Sequence, residues 1–159
     1  MMLGLLALAG AIAQNWILSE SVDPITDQKI AIARANNYAG QRLSVICDTR
    51  AGRIVTIQFS MKRFTGSPYT LGQMRFDGGP VSEMRFEVLN NVAYVGKYDR
   101  DAYQLAQSIA QAKKAVFRIF DYDNQPVDLS FDVEGGAEHI RHVFEVCGYK
   151  DPLAEPVKR

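Results

Sequence analysis

Two cysteines one hundred residues apart constrain this chain more than any other feature, because each falls on the inward side of a different kind of element. In Arg42 to Asp48 the alternation puts Leu43, Val45 and Cys47 on one face of a strand. Near the other end, Ile140, Val143, Phe144 and Cys147 recur at i, i+3, i+4 and i+7 and share one face of a helix. Both sulfurs therefore point inward, and the separation excludes the close CxxC spacing of a zinc knuckle or a thioredoxin-like pair. In an exported chain such a pair should form a disulfide, and closing so long a loop is worth up to about 4.7 kcal/mol in the chain-entropy model. In a cytosolic chain the same residues would be two inert buried thiols.

The start of the chain favours export. Its first charged residue is Glu20, and residues 3 to 13 form an apolar run ending in Ala11-Ile12-Ala13. This reads as a secretory h-region with an A-x-A cleavage site, although no Lys or Arg precedes it. The run is too short for the roughly 30 Å hydrocarbon layer, so no membrane span is expected once the signal is removed. The alternative is a buried N-terminal element of the domain. The expected organisation is a signal peptide at 1–13, one β-rich domain at 14–149, and a mobile tail at 150–159. Lys plus Arg and Asp plus Glu number 18 each, and that balance gives no electrostatic reason to expect a nucleic-acid or membrane-surface binder.

After Trp16 an extended piece runs into an Asp23-Pro24 turn. Gln28 to Arg34, with Ile30 and Ile32 on one face, Arg42 to Asp48, and Arg53 to Ser60, with Val55, Ile57 and Phe59 together, predict an antiparallel meander. Lys62 to Tyr69 has no hydrophobic period and reads as a loop. Helical spacing first appears from Asp99, with Ala102, Leu105, Ala106, Ile109 and Ala110 on one side and Lys113-Lys114 at the end. Ala115 to Asp121 and Val127 to Val133 predict a strand pair, followed by a helix over about Ala137 to Val146. The fold class expected is α+β: an antiparallel β-rich sheet, sandwich-like or meander, with two packed helices, one of them C-terminal.

Met74-Arg-Phe-Asp77 is nearly repeated as Met84-Arg-Phe-Glu87 across Gly78-Gly79-Pro80, the pattern of a hairpin. Opposed charges predict a register that sets Arg75 against Glu87 and Asp77 against Arg85, each pair contributing about 0.2 to 1 kcal/mol. These four residues, with Phe64 and Tyr69, form the candidate interaction surface. A solvated sheet face is the plainer reading of the charges.

His139 and His142 are the only histidines, spaced i, i+3 on the side of the last helix opposite Ile140 and Cys147. A polar, exposed helix face accounts for them better than a metal site, which needs further inward ligands. Asp121 and Asp123 fall in a hairpin turn, where Asp bonds backbone amides, and Asp128 and Asp132 on a solvated strand face. No GxSxG elbow, Walker A loop, GxGxxG turn, HExxH helix or EF-hand pattern occurs. No catalytic residue, cofactor or metal is expected.

Trp16, Ser21-Val-Asp-Pro-Ile-Thr-Asp27, Leu43-Ser-Val-Ile-Cys47, Met74-Arg-Phe-Asp77, Phe131-Asp-Val-Glu-Gly135 and Cys147-Gly148 occur in that order. This ordered set resembles exported bacterial proteins related to the type VI secretion-associated VasI family. The chain departs from that pattern after the R-x-D strand, carrying Glu83-Met-Arg-Phe where a Trp and a Ser would stand. The resemblance implies an exported, disulfide-linked accessory protein and brings no catalytic residues.

The expected function is therefore a periplasmic or secreted, non-enzymatic accessory or binding protein whose partner is another envelope or secreted protein. The alternative is an inhibitor or immunity protein that blocks an envelope-acting enzyme, with the loop Lys62 to Tyr69 inserting. A hydrolase or metal protein using Asp121, Asp123, His139 and His142 is the third reading.

Overall fold

The computed structural model describes residues 15–52, 54–66, 68–96 and 99–149. The expected signal peptide and tail lie outside these residues. The described elements are β1 (Trp16–Val22), β2 (Lys29–Asn36), β3 (Arg42–Asp48), β4 (Ile54–Ser60), β5 (Tyr69–Phe76), β6 (Ser82–Leu89), β7 (Val92–Val95), α1 (Asp99–Gln111), β8 (Lys114–Phe120), β9 (Pro126–Asp132) and α2 (Ala137–Val146). All strands join one antiparallel sheet in the order β1-β2-β3-β4-β7-β6-β5-β8-β9. The protein is thus α+β, with one helix at the C-terminal end of the described chain.

Period-two alternation from β2 to β9 puts one face of the sheet in the core. Leu43, Val45 and Cys47, then Val55, Ile57 and Phe59, then Val127, Leu129 and Phe131 are all buried, as the alternation predicts. The sheet curls around this face. Phe59 of β4 and Phe117 of β8 stand four strand steps apart, which in a flat sheet is roughly 19 Å, yet their ring centroids are 4.5 Å apart. At the outer strands Trp16 Nε1 donates to the Val133 carbonyl just past β9 at 3.0 Å, so the two ends of the sheet meet. Gly136 lets them meet, because a Cβ there would lie 2.5 Å from the Trp16 ring.

Both helices fill the concave side. α1 packs on β4, α2 packs on β1, β2 and β3, and the helices touch through Tyr103 and Phe144, whose rings meet edge-on at 5.5 Å. The alternation expected in β2 is present, but its inward face is Ala31, Ala33 and Ala35 rather than Ile30 and Ile32. The smallest side chains lie inward because α2 sits directly on this strand. Cys147 closes α2 and is bonded to Cys47 of β3 with a Cα–Cα distance of 5.7 Å, so the predicted disulfide fastens helix to sheet.

The repeated Met-Arg-Phe segments do form adjoining strands, but not in the charge-paired register. Arg85 faces Leu71 and Glu87 faces Tyr69, while Arg75 faces Val116 of β8 and Asp77 lies beyond the strand. The hairpin is centred on Gly78, because Asp77 and Gly78 take left-handed φ values of 50° and 70° and Gly79 N–H donates to the Phe76 carbonyl at 2.8 Å. The charges that were to set the register are used inside the turn. Arg75 donates to the carbonyls of Gly78 and Gly79 at 2.6 and 2.7 Å, and Asp77 Oδ1 accepts the Lys113 and Lys114 amides at 2.9 and 2.8 Å. Lys113 and Lys114 therefore lie beyond α1, which ends at Gln111, and serve the turn rather than the helix terminus.

β7 has no counterpart in the sequence reading. It follows the two-residue turn Asn90-Asn91, with Asn90 at φ 56°, and is the strand that β4 pairs with in place of β5.

Candidate interaction surface

With the inner face filled by helices, the outer face of β4, β7, β6 and β5 is left for contact. Its cross-strand rows follow from the register: Gln58, Tyr94, Glu87 and Tyr69 lie side by side, and Leu71 lies against Arg85. The Arg85 guanidinium sits over the Tyr69 ring, 4.1 Å from its centroid, an arrangement worth about 0.5 to 1 kcal/mol when exposed. Leu71 and Leu89 are 62% and 66% exposed on β5 and β6, and Ile54 is exposed on β4, across β7. Ile54, Thr56, Leu89, Val92 and Tyr94 line a groove of about 610 Å³ across β4, β7 and β6.

Of the six residues expected to form an interaction surface, Tyr69, Arg85 and Glu87 are brought together here. Arg75 and Asp77 are consumed by the β5–β6 turn. Phe64 stands apart, 59% exposed, with its ring 5.9 Å from that of Tyr122. The loop that carries it is anchored. Thr65 bonds the Asn90 carbonyl through both its amide and its hydroxyl at 2.8 Å, and Arg63 reaches Asp121 at 3.2 Å.

Sequence reasoning missed Leu71, Leu89, Ile54, Val92 and Tyr94. The signal for three of them was present, since Leu89-Asn-Asn-Val-Ala-Tyr-Val95 is two apolar stretches around a favoured turn pair. Beside this patch Arg118 grips Asp128 with two bonds of 2.6 and 2.8 Å, and that guanidinium holds the Asp128 carboxyl below the usual carboxylate range.

The remaining chemical candidates are dispersed. Asp121 accepts the Asp123 and Gln125 amides at 3.1 and 2.8 Å, the turn role expected of it, and these bonds, Gln125 foremost, lower its pKa. The histidines lie together on the polar side of α2, half-buried against β1. The His139 ring stacks on Trp16 with centroids 6.4 Å apart, and His142 Nε2 lies 2.8 Å from Glu20 Oε2. Strand β1 flanks them without burying them, and with Leu18 of β1 they line an open pocket. Among the described residues, no three His, Cys, Asp or Glu side chains gather as a metal site, and no helix is long and apolar enough to cross a membrane.

No family model and no curated protein matches the chain. Among solved structures, the crystal structure of invasion associated protein B from Bartonella henselae is similar. Its TM-score is 0.54, it covers 84% of this chain and 94% of that chain, and sequence identity is 10%. At that identity the likeness is one of fold.

Proposed function

We propose that the chain is an exported, non-enzymatic accessory protein that works by holding another envelope or secreted protein against the outer face of β4, β7, β6 and β5. The observation that carries this reading is the apolar groove lined by Ile54, Leu89, Val92 and Tyr94 and rimmed by Gln58, Glu87 and the Asn90-Asn91 turn, with the exposed Leu71 on the same outer face. Apolar side chains grouped inside a polar rim have the anatomy of a contact surface. The Cys47–Cys147 disulfide supports export, because such bonds persist in oxidising compartments. The order of motifs shared with VasI-related proteins and the fold shared with invasion associated protein B are consistent with an accessory role.

The test is photo-crosslinking in living cells from probes placed at Leu71 and Leu89, with a probe at Ile25 on the far β1–β2 turn as comparison. A discrete crosslinked protein from the first two positions, lost when Leu89→Arg is added to the Leu71 probe, is expected. Equal crosslinking from Ile25, or none from the outer face, would overturn the proposal. Leu89 is 66% exposed, so its replacement leaves the core intact.

A further inference from the structure

Where the two ends of the curled sheet meet, they enclose a second concavity, a cleft of about 520 Å³. Its floor is the outer face of the β8–β9 ladder, where Lys114 faces Asp132 and Ser130 lies one outward position along. Its wall is the β2–β3 turn with Asn36, Tyr38 and Gln41. Asn37 braces that wall, donating to the Ser130 carbonyl at 3.1 Å and to Gln41 Oε1 at 2.7 Å, while its own Oδ1 accepts the Gln41 amide at 2.9 Å. The Trp16–Val133 bond closes the same seam. The cleft is therefore held open by the fold before any ligand arrives, which lowers the ordering cost of binding.

We propose that this seam cleft is a binding site for a neutral saccharide. Three features point to that chemistry. The first is hydrogen-bonding capacity. Asn36 offers an amide, Gln41 a free Nε2, Ser130 a hydroxyl, Lys114 three donors and Asp132 carboxylate acceptors, and among the described residues the Asn36, Lys114 and Asp132 side chains have no protein partner. Such a mixture of donors and acceptors suits a ligand whose hydroxyls both give and accept hydrogen bonds. The second is charge. Lys114 and Asp132 oppose each other across the ladder and Asp128 is paired with Arg118, so the lining side chains themselves carry no unbalanced charge to select a phosphate or a metal cation. The third is Tyr38, whose ring stands fully exposed at the lip and presents an apolar face for the C–H side of a sugar ring. This site is separate from the protein-contact groove and stands independently of it.

The experiment is a titration of the folded, disulfide-bonded chain, followed by amide NMR. The probes are neutral oligosaccharides of glucose and of N-acetylglucosamine, with co-sedimentation on insoluble cellulose and chitin as a second arm. Saturable shifts at the Asn36 and Gln41 side-chain amides with a Kd of about 1 mM or tighter are expected, weakened about tenfold or more in Tyr38→Ala and in Asp132→Ala. Oligosaccharide shifts assign a soluble ligand, whereas co-sedimentation without them, abolished by Tyr38→Ala, assigns a polymer. The proposal is overturned if neither arm responds, if both variants bind as the parent does, or if calcium chloride or sodium phosphate saturates the same amides instead. Tyr38 and Asp132 are exposed, so both variants keep the fold, which near-ultraviolet circular dichroism verifies.

Discussion

The strands β1 to β4 and the strands β5 to β9 build one sheet in two different ways. The first four pair strictly in chain order, and their inward alanines admit a helix that a disulfide then bolts down. In the second group the spatial order is β7-β6-β5-β8-β9, with α1 inserted between β7 and β8, and the core is aromatic. Phe117 is its hub, meeting Phe76 and Phe131 within the group at ring separations of 6.0 and 6.5 Å and reaching across to Phe59 of β4 at 4.5 Å. One half is secured by a covalent tie to a helix and the other by interlocked rings. Connections made in chain order are written into local alternation and turns, whereas a pairing between distant strands is selected by how side chains pack once they meet.

The sharpest way to break this comparison is to remove the covalent tie. Replacing Cys47 and Cys147 together by Ala should lower stability by up to about 4.7 kcal/mol in urea unfolding. Hydrogen exchange should then show lost protection in α2, β2 and β3 well before β8 and β9. Uniform loss across the sheet would mean that the two halves are secured as one. The mirror experiment is Phe117→Ala, expected to cost about 4 kcal/mol through lost burial and the cavity left among the rings. Its exchange signature should fall first on β5, β8 and β9, and the disulfide should remain formed.

The smallest effect probes the seam between β1 and α2. The hydrogen bond with His142, foremost, and then the Lys29 charge outweigh desolvation and hold the Glu20 carboxyl below its ordinary value of 4.5. A carboxyl lowered in the folded state contributes stability that is fully present above its unfolded value and is lost as pH falls through the folded one. Glu20→Gln should therefore flatten the decline of the urea midpoint between about pH 5.5 and about pH 3, with a difference below about 1 kcal/mol for so exposed a pair. Equal slopes in the two proteins would show that the pair adds nothing to the closure of β1 over α2.

How far the chain could be read from its residues differs between the same two regions. The β2–β4 meander was legible, apart from the inward face of β2, because Leu43-Val45-Cys47 and Val55-Ile57-Phe59 alternate cleanly and short turns join them. The β5–β6 register was not, because surface charge pairs are weak and the left-handed Asp77-Gly78 turn, together with the backbone groups that Arg75 and Asp77 satisfy, outweighs them. Strand β7 escaped notice because its four residues are too few for a period to declare itself. Of the candidate surface, Tyr69, Arg85 and Glu87 were found from the sequence, but Leu71 and Leu89 acquire meaning only beside their neighbours. The seam cleft had no sequence signature at all, since its floor and wall lie about ninety residues apart and meet only through the curl.

The sequence by itself determined that both cysteines face a core, that antiparallel strands dominate, and that a last helix carries Cys147 onto the sheet. Periodicity encodes these facts, because inward and outward positions follow from the pitch of a strand or helix without reference to the rest of the chain. Only the tertiary structure decided that β7 stands between β4 and β6, that the histidines meet Trp16 and Glu20 of β1, and that the sheet's ends close on each other. Those outcomes depend on twist and on packing between residues far apart in the chain, where Gly136 admits the Trp16 ring and Phe117 meets Phe59, and no local pattern records them.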